Sequence, residues 1–173
     1  MTQTHPDVDV DAAERTRTYT WSDQSPTHQL AQSTSGADLL AMMARGEIPY
    51  PPVADTVGFH SFEIDDAGTV VVTLEPQEFH YNPLGIVHGG IIAMLLDTVA
   101  GCAVHATLPA GVGYASLDLT TKFLRPVTIG TGLVRAEGRV TNAGARISLA
   151  EATLTDTKGR LLATAISTCM TLG

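Results

Sequence analysis

Asp97 stands in the most apolar stretch of the chain, HYNPLGIVHGGIIAMLLDTV at residues 80–99. It follows a turn crowded with Asn82, Pro83, Gly85, His88, Gly89 and Gly90. Glycines at a helix start leave backbone N–H groups open to a ligand oxygen, and the helix dipole adds partial positive charge there. This is the physical description of an oxyanion hole or a carbonyl-polarising site. Core packing gives no reason for the aspartate, and no Lys or Arg occurs between residues 46 and 121 to neutralise it. An acid without a local cation in an apolar helix is a functional candidate.

The spacing constrains how such a site is built. His88 and Asp97 are nine residues apart, about two and a half helical turns and about 13.5 Å along the axis. On one straight helix they point to opposite sides. Either Asp97 is a structural acid, or the turn of one subunit and the acid of another form one site.

The surrounding elements follow from periodicity and punctuation. Residues 1–36 are polar, with five acids and two arginines, and read as a tail that cannot bury enough apolar surface to fold alone. Tyr19 and Trp21 are its candidate anchors. Residues 37–173 form the domain. SGADLLAMMARGEIPYPP predicts a short helix with Leu39, Leu40, Met42 and Met43 inward, stopped by Gly46 and the prolines. TVGFHSFEI and TVVVTLEP about DDAG predict a hairpin. Residues 91–107 are apolar nearly all round and predict a buried helix, whose Ala93, Ala100, Gly101 and Ala103 let a sheet approach closely. Four long β-type segments complete the chain, the last three a meander. On residues 161–172, Leu162, Ile166 and Met170 are expected on one face, and Leu161, Ala163, Ala165 and Cys169 on the other. The class is α+β, an antiparallel sheet wrapped round a long central helix. With one long helix available, the second sheet face is expected to meet another subunit.

Composition excludes several functions. A net charge of −8 attracts neither nucleic acid nor an acidic membrane surface. No apolar run reaches the length of a membrane span and the N-terminus lacks a secretory core segment, so a soluble cytoplasmic protein is expected. Cys102 and Cys169 lie in apolar surroundings without metal-type spacing, and His60, His80, His88 and His105 do not complete a ligand set. No metal and no cofactor are expected. No phosphate loop, G-x-G-x-x-G or G-x-S-x-G motif occurs.

Asn-Pro-x-Gly-x-x-His-Gly-Gly, an aspartate seven residues later in an apolar helix, and then ASLDLTTKFLRPVTIG together resemble the hotdog-fold acyl-CoA thioesterases of the phenylacetate (PaaI-like) type. The resemblance covers residues 38–172. It implies paired subunits with edge-joined sheets, often a dimer of dimers, and a site at the dimer interface to which one chain gives the turn and the other the acid. By the resemblance Gly89 polarises the thioester carbonyl, and His88 holds the turn or bonds near the thioester. Asn82 orients water or carbonyl, Asp97 is general base or nucleophile, and Ser116 bonds the acid or its water. Gly90, Tyr114, Lys122 and Arg125 are expected to bind substrate. Coenzyme A enters as part of the acyl-CoA, and its phosphates need a local cation, for which Lys122, Arg125, Arg146, Lys158 and Arg160 are the candidates. Phe79, Tyr81, Leu84, Val87 and Tyr114 are expected along the acyl group. The alternatives on the same fold are a non-catalytic acyl-CoA-binding or sensing module and an enoyl-thioester hydratase.

Overall fold

The computed structural model describes residues 13–173. The α-helices among these residues are α1 (Ser25–Ala31), α2 (Gly36–Ala44), α3 (Pro52–Val57) and α4 (Gly89–His105). The strands are β1 (Phe59–Ile64), β2 (Val70–Leu74), β3 (Gly113–Phe123), β4 (Val134–Ala143), β5 (Ile147–Asp156) and β6 (Leu161–Leu172). All six form one antiparallel sheet in the order β1-β2-β4-β5-β6-β3. Among the described residues no helix is long and apolar enough to cross a membrane.

Local chemistry explains most boundaries. Ser35 caps α2 by accepting the Asp38 N–H at 3.2 Å and bonding its carboxylate at 2.6 Å. Asp65 turns the β1–β2 hairpin by accepting the N–H groups of Ala67 and Thr69. Two helices were not expected. The prolines that stop α2 also start α3, with Pro52 in the first helical turn, where its missing N–H costs nothing. Helix α1 lies inside the segment read as a tail, and the Gly111 N–H donates to its last carbonyl, Ala31.

Helix α4 crosses the concave side of the sheet. Ile92, Leu95, Leu96, Val99, Ala100, Ala103 and Val104 are buried against Val70, Val72, Leu74, Val134, Leu154 and the small residues Ala136, Ala150, Ala152, Ala163 and Ala165. These small side chains set the closeness of the approach. At Gly138 on β4 a Cβ would run into the Val99 carbonyl, so no side chain fits between strand and helix. This is the wrapped-sheet α+β arrangement expected of a hotdog fold.

Two details differ from the sequence pattern. Asp97 is not deep in the core: it shares a half-buried stripe of α4 with Ala93, Met94 and Thr98. The apolar residues beside it face β3 and an open surface rather than the sheet centre. On β6 the pairing with β5 slips, Thr155 opposing Leu161 and Leu154 opposing Ala163. The slip buries Leu162 together with Ala163, Ala165 and Cys169, while Ile166 stays exposed on the convex face. Strict alternation groups Leu162 with Ile166 instead.

Candidate active site

The turn half of the site is built by backbone bonds around Asn82. Its carbonyl accepts the Gly85 N–H at 3.0 Å, its N–H donates to Ile86 at 2.8 Å, and its side-chain Oδ1 accepts Leu84 N–H at 2.9 Å and Ile86 N–H at 3.4 Å. Pro83 presets the second turn residue, and Gly85 takes φ 73°, which a Cβ would resist. The exit is tied twice: Val87 N–H to Val127 O and His88 N–H to His80 O, each at 2.8 Å. His80 is itself buried. Its Nδ1 accepts the Gln77 N–H at 2.9 Å and its Nε2 meets Val57 O at 2.8 Å, which fixes the tautomer with hydrogen on Nε2. Burial holds its pKa below the usual histidine value, so the ring is a neutral brace.

His88 is the N-cap of α4, and its Nδ1 accepts the Gly90 N–H at 2.8 Å. The ring therefore holds the turn, and the Gly90 N–H is occupied. The Gly89 N–H has no acceptor among the described residues. It is the first donor of α4 and opens beside a cleft of about 400 Å³ walled by Asn82, Ile86, Ile92, Phe123, Leu124 and Arg125. Phe123 lies over Gly89: a Cβ there would come within 3.2 Å of the ring. The sequence reading missed Phe123. The signal was a large apolar residue at the end of an edge strand, where packing alone does not demand one.

The acid half lies elsewhere. Ser116 Oγ donates to Asp97 Oδ1 at 3.0 Å. Both line a shallow depression with Ala93, Met94, Leu117 and Leu119, which shares no residue with the turn cleft. No ion pair among the described residues involves Asp97. Strand β3 positions Ser116 through a bulge: pairing to β6 jumps from Ser116–Cys169 to Asp118–Thr168 and leaves Leu117 unpaired. The structure thus brings Ser116 to Asp97, brings Asn82, His88 and Gly89 together, and keeps the two groups apart within one chain.

The remaining candidates divide. Arg125 lines the turn cleft and donates to Leu161 O, bracing the strand end. Lys122 is exposed on β3 opposite Thr164. Arg160 is paired with the buried Asp156 at 2.6 Å, and Arg146 lies at the far end of β5 beside Thr107 and Leu108. Tyr114 lines neither half: its hydroxyl rests on α4 where a Cβ at Gly101 would come within 2.5 Å, and its ring is 5.8 Å from that of His105. Burial raises the Tyr114 pKa, so its hydroxyl stays neutral. Burial, helped by the Asp97 charge, pushes the Cys102 thiol up to about 12, which removes it as a nucleophile. His105 is held neutral by burial, its Nδ1 without a partner among the described residues.

Comparison with known proteins bears on the fold and the family. The family model for the thioesterase superfamily matches residues 84–163, from the turn through β5 into β6. A phenylacetic acid degradation-related protein from Ralstonia eutropha JMP134 shares 35% identity over 76% of this chain and 98% of its own, with a TM-score of 0.68. The PaaI protein of the phenylacetic acid degradation operon of E. coli has the same fold at 22% identity, TM-score 0.68, covering 80% of this chain and 94% of its own. Acyl-coenzyme A thioesterase 13 of Mus musculus is 30% identical over 95 residues, 54% of this chain and 66% of the mouse protein. The chain spans 44% to 66% of the length of the first curated relatives it matches. By fold, by near-complete overlap with a 35% identical structure and by the family match over the turn and central helix, the chain belongs to the thioesterase superfamily.

Proposed function

We propose that this chain hydrolyses acyl-coenzyme A thioesters to free acid and coenzyme A, in sites shared between two subunits of a homodimer. The observation that carries the reading is the separation of two incomplete half-sites: among the described residues, a Gly89 N–H without an acceptor and a serine-bonded Asp97 carboxylate without an ion pair. Neither does acyl transfer alone. Strand β3 supports the pairing: it is a long sheet edge with Leu117 and Phe123 more than half exposed, and long apolar edges call for a partner. Antiparallel pairing of β3 with its copy about Thr120, with the bulged Leu117 left over, sets residue 116 opposite residue 123. That register carries Ser116 and Asp97 of one chain to Phe123 and the Gly89 N–H of the other.

In the joined site the thioester oxygen accepts the Gly89 N–H, whose position at the helix start favours the charge that develops on it. Asp97 deprotonates the attacking water or attacks the carbonyl carbon itself, and Ser116 keeps its carboxylate aimed. By the first route the tetrahedral intermediate expels the coenzyme A thiolate, which takes the proton removed from water; by the second the thiolate leaves a mixed anhydride on Asp97, which water opens to the free acid, regenerating the carboxylate and supplying the thiol's proton. His88 and Asn82 hold the turn. Ile86, Ile92, Phe123 and Leu124 offer an apolar wall to the acyl group, and Arg125, with Lys122, supplies positive charge for the phosphates. Such a substrate implies a cytoplasmic protein, with the exposed convex-face residues Ile147, Leu149 and Ile166 available to pair dimers. The test is hydrolysis of short, medium, long and aromatic acyl-CoAs followed by free thiol release. Turnover on at least one class is expected. Binding without turnover on all of them replaces the enzyme with a non-catalytic acyl-CoA-binding module.

A further inference from the structure

Outside both half-sites, one side chain joins three elements that the turn depends on. Arg17, in the N-terminal segment read as a tail, donates from Nη2 to Asp55 O at 2.9 Å and from Nη1 to Thr56 O. These are orphan carbonyls in the last turn of α3, and the next one, Val57 O, meets His80 Nε2. The Arg17 guanidinium also lies 4.1 Å from the Phe79 ring centroid and 4.9 Å from that of Tyr19. Phe79 in turn packs edge-on to His80, with ring centroids 4.3 Å apart. Nearby, Arg15 Nε bonds Glu78 Oε2 at 2.7 Å. The single 3-10 turn Glu78–His80 is therefore held from one side by the arm and from the other by α3. Its His80 carbonyl is the acceptor of the His88 N–H, the bond immediately before Gly89.

We infer that Arg17 is a positioning residue for the Gly89 donor, acting through the Phe79–His80 turn to which the start of α4 is tied. This rests on the hydrolase reading for its catalytic consequence and on geometry alone for its structural one. The planar guanidinium fork bonds two carbonyls and stacks on an aromatic face together, which a lysine cannot do. Loss of the fork frees the 3-10 turn to shift against α3, and a displacement of the oxyanion donor by a fraction of an ångström weakens transition-state binding more than substrate binding.

The experiment compares wild type and Arg17→Ala by amide hydrogen exchange and by steady-state kinetics on the best acyl-CoA. Exchange is expected to rise about tenfold or more over residues 77–90, as local opening becomes easier, with peptides of β4 to β6 unchanged. kcat is expected to fall by about tenfold to a hundredfold with KM little altered. Should the alanine variant loosen the sheet as well, Arg17→Lys, which keeps the cation and loses the fork, is measured in its place with the same expected direction. Unchanged exchange over 77–90, or faster exchange there with wild-type kcat, overturns the inference. A wild type that turns over no acyl-CoA overturns the hydrolase reading instead, and the exchange comparison then decides the clamp by itself.

Discussion

Asp97→Asn is expected to lower kcat for acyl-CoA hydrolysis by about 10²–10⁴, the usual range for removal of a general base, while acyl-CoA binding is retained. The reasons are local. Asparagine has the same shape, and its Oδ1 can still accept the Ser116 hydroxyl, so the depression beside Met94 and Leu117 keeps its form. No cation among the described residues forms an ion pair with Asp97, so neutralising it strands no charge. Thermal stability is therefore expected to stay close to wild type. A structural acid behaves in the opposite way: the variant loses stability and the folded fraction keeps its turnover. Thiol release, titration with a non-hydrolysable acyl-CoA analogue and a melting curve on one preparation separate the two. Turnover within about tenfold of wild type, well short of a lost base, removes Asp97 from the chemistry.

Gly89→Pro is expected to lower kcat by about 10²–10³, the cost of losing one oxyanion donor, with α4 intact. Proline deletes the N–H in question and nothing else that the helix uses. Residue 89 is the first of α4, where the N–H has no intrahelical acceptor and proline is favoured. His88 already has φ −59° and ψ 135°, the extended backbone that a residue before proline adopts. Its cap to the Gly90 N–H is untouched. The added ring meets Phe123, an exposed side chain with room to turn. Gly89→Ala is the control, since it brings a Cβ to Phe123 and keeps the N–H. The expected order of kcat is wild type, then alanine within about tenfold, then proline far below. Equal losses in both variants assign the effect to crowding at Phe123 and not to the hydrogen bond.

The parts of the fold legible in the sequence were those with strong local signals. Ser35, Asp38 and Gly46 bracket α2, DDAG turns the hairpin, and NAG and DTKG space the meander. The site motif was legible for the same reason: Asn82, Pro83 and Gly85 are each demanded by turn geometry, and Asp97 contradicts its apolar surroundings. What the pattern missed depends on tertiary contact. The depth of Asp97 follows from which stripe of α4 meets β3, and a helix apolar all round does not reveal that. The exposure of Ile166 follows from a register slip between β5 and β6 that alternation does not encode. Helix α1 and the Arg17 contacts are held by neighbours about 25 to 80 residues away along the chain, in a segment whose composition reads as unfolded. Phe123 and Gly89 are 34 positions apart, and only the fold brings the ring over the glycine.

If the turn and the acid of one site come from different chains, two damaged subunits can restore one site between them. Differently tagged Asp97→Asn and Gly89→Pro subunits, co-expressed and purified through both tags, give a dimer with one doubly damaged site and one undamaged site. Shared sites predict that this heterodimer regains about half of wild-type kcat per dimer, as two-fold symmetry dictates, although each parent homodimer is nearly inactive. Activity no higher than that of the parents, or a monomer with full turnover, contradicts a site shared between chains.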